Sequence, residues 1–202
     1  MIKDFDENHL QSSINNAFLT LKYTFENSGK LLICGNGGSA SDADHIVGEL
    51  VKGFEKKRNL NQSDKEKFTE IDKLYDTDLT NKIQNGMPAF SLSSHTALTT
   101  AIINDQGSDY IFAQQVWSLG GKQDTLLAIS TSGNSKNVLL ASIVAKKQGL
   151  KIIGLTGYNG GKLEEICDVC IKSKENTVAT IQESHIKIYH ELCRKLENSF
   201  YS

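Results

Sequence analysis

His45 and Glu49 stand four residues apart in a stretch that reads as helix, so they share one face. A histidine and a carboxylate at that spacing can bind a metal, do acid–base work, or form an ordinary ion pair on a helix surface. Their face points back toward the turn Gly35-Asn36-Gly37-Gly38. Glycines there permit positive φ and close backbone approach to a ligand. Ser39 or Ser41 can cap the helix that follows, and free N–H groups in its first turn favour an anion. A second junction carries Ser130, Thr131, Ser132 and Ser135, four hydroxyls within six residues, which suits the several acceptor oxygens of a phosphate. One such turn is usually only a cap. Two on one edge point to a phosphate or sugar-phosphate cradle. Near the end of the chain, Gln182, Glu183, His185 and His190 share one helical stretch.

The elements that must position these residues follow from periodicity. Residues 6–27 read as an amphipathic helix, with Leu10, Ile14, Ala17, Leu21 and Phe25 at three- and four-residue steps. Short apolar runs at 30–34, 89–92, 125–129, 151–155 and 169–172 read as strands. Helical segments are expected at 39–54, 97–103, 110–117, 136–148 and 178–199, with a short one after Gly160-Gly161. Strands alternating with helices predict an α/β fold, a doubly wound, five-stranded, mainly parallel sheet flanked by helices. Ligands in such sheets sit beyond the carboxyl ends of the strands, where GNGGS, STSGNS and TGYNGG all fall. The whole chain, 1–202, is expected to be one domain. Residues 55–86 are charged and poor in apolar side chains and read as a surface insertion with a short helix near 63–74. The last helix carries two stripes, one of Ile181, His185, Ile188 and Leu192, the other of Gln182, Ile186, His190 and Cys193. Two partly apolar stripes imply burial on two sides, hence packing against another subunit.

Composition narrows the function further. The formal net charge of −2 over 202 residues gives no bulk field toward nucleic acid. No apolar run approaches the ~20 residues of a membrane span, and the charged first residues show no signal core, so a cytoplasmic protein is expected. Cys167 and Cys170 form C-x-x-C, but no second pair follows, and free structural thiols fit them best. Gly35-x-Gly37-x-x-Ala40 loosely fits a dinucleotide fingerprint. That reading needs an acidic residue at a strand end about twenty residues on, where Glu55-Lys56-Lys57 lies on a helix end or loop instead. It also leaves STSGNS unexplained.

Taken together, C-G-N-G-G-S-x-x-D-A-x-H-x-x-x-E (34–49), S-T-S-G-N-S (130–135), I-Q-E-x-H-I-K-x-x-H (181–190), Asn104-Asp105 and L-T-G-x-x-G-G (155–161) resemble the phosphoheptose isomerases of the sugar-isomerase (SIS) domain superfamily. The resemblance spans nearly the whole chain, although 55–86 is longer than the family leads one to expect. It implies a flavodoxin-like SIS fold and an aldose–ketose isomerase. The implied reaction converts sedoheptulose 7-phosphate to D-glycero-D-manno-heptose 7-phosphate through an enediol, for bacterial heptose precursors of lipopolysaccharide, capsule or S-layer. It further implies a homotetramer with active sites between subunits and one zinc ion per subunit, held by His45, Glu49, Gln182 and His190. Glu49 and His190 would shuttle the proton. Asn36, Gly37, Gly38, Glu49, Asn104, Asp105, Ser130, Thr131, Ser132, Ser135 and Gln182 would contact substrate. The superfamily also holds a non-catalytic relative that associates with the bacterial replication initiator and isomerases of other phosphosugars. The first is expected to lack part of the set His45, Glu49, Gln182 and His190, which is complete here.

Overall fold

The computed structural model of the chain describes residues 7–201; residue 6, where the first helix was expected to begin, lies outside them. Five strands form the sheet: β1 (Leu31–Cys34), β2 (Ala89–Ser91), β3 (Thr125–Ser130), β4 (Lys151–Thr156) and β5 (Val169–Lys172). Their order is β2-β1-β3-β4-β5 and every pairing is parallel. After β1 the chain steps outward to β2, then returns to lay β3 on the other side of β1. The winding direction therefore reverses between β1 and β3, and the crevice for a ligand opens beyond their carboxyl ends.

Helices cover both faces, so the inner strands read as continuous apolar runs. All residues of β1 and β3 are buried. Alternate side chains feed two cores. Leu31, Ile33, Leu127, Ile129, Ile153 and Leu155 face α1 (Glu7–Glu26), α2 (Gly38–Val51) and the long C-terminal helix Val178–Phe200. Leu32, Cys34, Leu126, Ala128 and Ile152 face the opposite layer. Between β1 and β2 come α3 (Gln62–Tyr75) and α4 (Leu79–Lys82). The remaining helices are α5 (Thr96–Asp105), α6 (Ile111–Leu119), α7 (Lys136–Gln148), α8 (Gly161–Ile166) and α9 (Val178–Phe200). α9 packs on α1 and α2, which brings its polar stripe beside the start of α2.

The insertion has a firmer root than its composition suggests. α3 buries none of its residues. It is capped by Asn61, whose side chain accepts from the Asp64 N–H, and Asp72 accepts from the N–H groups of Leu79 and Thr80 to start α4. A bridge between Asn59 and Gln84 closes the excursion at its base. Arg58, which sits in the charged run expected to stay at the surface, is buried. Its guanidinium donates to the carbonyls of Leu50 (2.6 Å) and Glu49 (2.9 Å) and pairs with Glu197 (2.9 Å). The physical reason is that the last carbonyls of α2 have no partner within the helix and a fixed cation satisfies them.

Candidate active site

The cradle forms where the winding reverses. Helix α2 begins one residue earlier than expected, and Gly37, not Ser39 or Ser41, is its N-cap at φ 57°, without a side-chain cap. Ser39, Ala40 and Ser41 donate their N–H groups back to Asn36 and Gly37. A Cβ at Gly38 would come within 2.3 Å of Gln182 Nε2, so the α9 amide lies directly on the turn. In the β3–α7 loop, Gly133 has φ 63° and a Cβ there would strike the Gly160 carbonyl at 1.9 Å. The TGYNGG turn thus buttresses the hydroxyl loop from behind. Ser130 Oγ donates to Ser135 Oγ at 3.0 Å. Asn36 and Asn137 exchange two amide hydrogen bonds of 2.9 and 3.0 Å, tying the two loops together.

Between them opens a cleft of about 370 Å³, lined by Asn36, Gly37, Gly38, Ser130, Thr131, Ser135 and Gln182 among others. Ser132 faces the adjoining hollow with Thr131 and Asn134. Asn104 and Asp105 end α5, are exposed, hydrogen-bond each other at 2.7 Å, and do not line the cleft.

On the same face of α2, Glu49 Oε1 lies 3.0 Å from His45 Nε2 and 3.0 Å from His190 Nε2. One ligand atom from each residue falls within 4.8 Å of the others. This is no surface ion pair, because the Glu49 carboxylate is buried. Its Oε2 and His190 Nε2 are buried without a hydrogen-bond partner. Buried polar atoms are normally paired, and two imidazoles with a carboxylate are a donor set for zinc and similar divalent ions. The three residues therefore fit a metal. Gln182 lies two turns before His190 on α9 and rests against Gly38, on the cleft side.

One neighbour carries no local signal in the sequence. Tyr189 places its hydroxyl 2.8 Å from His45 Nδ1 and 3.4 Å from Asp42 Oδ1. Asp42 takes that tyrosine contact, and Asp44 accepts from Ser94 at 2.5 Å. Burial, then the carboxylates of Asp42 and Glu49, pushes the Tyr189 phenol up, so it stays protonated. Burial, then the charge of Glu49, likewise raises the Cys193 thiol. Cys167 and Cys170 are free thiols, partly buried. No signal marked Tyr189, since one aromatic beside a histidine on a helix is ordinary core composition.

The SIS domain family profile matches residues 77–157. The chain is 40% identical to the phosphoheptose isomerase of Helicobacter pylori strain P12, over 95% of this chain and 86% of that protein. It is 42% identical to the phosphoheptose isomerase of Nitratiruptor, over 87% of this chain and 80% of the relative. Among solved structures, the phosphoheptose isomerase of Francisella tularensis superposes with a TM-score of 0.76 at 33% identity, covering 93% of this chain and 86% of that one. Phosphoheptose isomerase GmhA from Neisseria gonorrhoeae gives 0.74 at 33% identity, with the same coverage. With similarity of this extent on a shared fold, the chain belongs to the phosphoheptose isomerase family of aldose–ketose isomerases.

Proposed function

We propose that the site interconverts sedoheptulose 7-phosphate and D-glycero-D-manno-heptose 7-phosphate, with Glu49 and His190 as the proton-transfer pair. The observation that carries this reading is the convergence of His45, Glu49 and His190 beside a glycine-and-hydroxyl cleft. The phosphate end of the sugar would lie between the N-terminus of α2 and the hydroxyls of Ser130, Thr131, Ser132 and Ser135. Anchoring there orients the reacting carbons toward α9.

Isomerisation of the ketose needs a base to take a proton from C1 and return it to C2 through an enediol, and an acid to move a proton between O2 and O1. Glu49 performs the first task and His190 the second. Zinc, one ion per subunit, would be held by His45, Glu49, Gln182 and His190 and would supply Lewis-acid stabilisation of the charge that develops on the sugar oxygens. Glu49 would hold the ion and, as the base, take the carbon proton.

Asn104 and Asp105, outside the cleft of their own chain, would reach substrate across a subunit boundary in a homotetramer. The exposed apolar side chains Leu98, Ile103 and Trp117 support such a covered surface. We assign the enzyme to the cytoplasm; among the described residues no helix is long and apolar enough to cross a membrane. The test is incubation with sedoheptulose 7-phosphate, with and without a chelator. The aldose phosphate is expected only without it, and equal conversion in both removes the metal from the account.

A further inference from the structure

His45 Nε2 can offer a lone pair to a cation only while the ring's proton sits on Nδ1. That nitrogen is 2.8 Å from the Tyr189 hydroxyl, and the hydroxyl donates to Asp42 Oδ1 at 3.4 Å. Tyr189 and Asp42 are both buried, and they come from different helices, α9 and α2. A tyrosine hydroxyl carries one proton. Donated to a carboxylate, which when ionised can only accept, it leaves the phenol oxygen to accept from His45 Nδ1–H. Donated to His45 instead, it would force the ring's proton onto Nε2, where Glu49 and His190 converge. The tyrosine ring also stands edge-on to both imidazoles, 5.5 Å from His45 and 5.0 Å from His190, so it fixes ring orientation as well.

We infer that Tyr189 and Asp42 are positioning residues for the metal ligand His45: the carboxylate orients the phenol, and the phenol keeps the ring's proton on Nδ1 and Nε2 aimed at the shared point. Partners of this kind behind a ligating histidine govern metal affinity. The inference rests on the metal reading above.

The experiment measures zinc affinity of the full chain by competition with a chromophoric chelator, alongside melting of the metal-free protein. Tyr189→Phe keeps the ring and removes only the hydroxyl. It is expected to weaken zinc binding about 10–100-fold while the metal-free melting temperature stays close to wild type. Asp42→Asn, whose amide can donate to the phenol and turn its proton toward His45, is expected to weaken binding at least as much. Should Tyr189→Phe fail to fold, Asp42→Asn decides. In zinc-loaded wild type, 15N NMR reads the ring directly, with the proton expected on Nδ1 of His45. Wild-type affinity in a folded variant, or a proton on Nε2, overturns the positioning role. A wild type that binds no zinc overturns the metal reading beneath it.

Discussion

His190 Nε2 lies 3.0 Å from Glu49 Oε1, yet it is a buried nitrogen with no hydrogen-bond partner. The two atoms approach each other without a hydrogen-bond direction, as ligand atoms do when both point at a third position. His45 Nε2, also 3.0 Å from Glu49 Oε1, makes the same approach from one helical turn away.

Zinc should therefore stabilise the fold in proportion to its concentration. Binding to the native state alone adds about 2.7 kcal/mol when the ion is at a hundred times its Kd. Thermal melting against zinc concentration checks this, and His45→Ala should flatten the dependence. A melting temperature indifferent to zinc would contradict the assignment of these atoms as ligands.

Two glycines separate substrate binding from stability. At Gly133 a methyl group meets backbone, the Gly160 carbonyl, and φ is positive. Gly133→Ala should lower stability by about 1–3 kcal/mol, read by denaturant unfolding. At Gly38 a methyl group meets only the end of the Gln182 side chain, which can swing away. Gly38→Ala should leave the melting temperature nearly unchanged and raise KM for the sugar phosphate.

Much of this is legible in the sequence. The five strands, and the Gly37 and Ser130 loops, followed from apolar runs stopping at glycine or serine clusters, because strand ends and turns are set locally. The pairing of Glu49 with His190 was legible only through the resemblance, since nothing local brings α9 onto α2. Arg58 is hidden for a similar reason: within Glu55-Lys56-Lys57-Arg58 it looks like another solvated charge, and only the distant Glu197 and the end of α2 distinguish it. Tyr189 carries no local mark because its partners, His45 and Asp42, lie on a helix far away in sequence.

Arg58 makes a further test. Its guanidinium and the Glu197 carboxylate are both buried. Burial opposes ionisation of Glu197, yet the N–H groups of Phe54 and Glu55, with Arg58, hold its carboxyl below the usual range. Arg58→Met should cost about 3–5 kcal/mol by leaving that charge unpaired. Because the last turn of α2 carries Glu49, turnover should fall in whatever protein remains folded. Unchanged unfolding in urea would mean that Arg58 does not anchor the insertion.

His185 sets a pH limit on stability. Burial holds its pKa below the ordinary 6.5, and its Nε2–H donates to the Thr156 carbonyl at 3.1 Å. The folded state thus binds this proton less readily than the unfolded chain. Its contribution is complete above about pH 6.5 and is lost as pH falls through that value toward the lower folded-state pKa. His185→Gln should flatten the melting temperature between about pH 7 and 5. A wild-type slope in that variant would assign the acid sensitivity to other groups.

The central claim is that Glu49 and His190 move the protons of an aldose–ketose exchange. Zinc-supplied wild type, Glu49→Gln and His190→Gln, each incubated with sedoheptulose 7-phosphate and followed by NMR for the aldose phosphate, test it most directly. The wild type should convert the sugar, and each variant should lose at least about a hundredfold in rate while its far-ultraviolet circular dichroism and its melting without zinc stay intact. Wild-type rates in both folded variants would contradict the account.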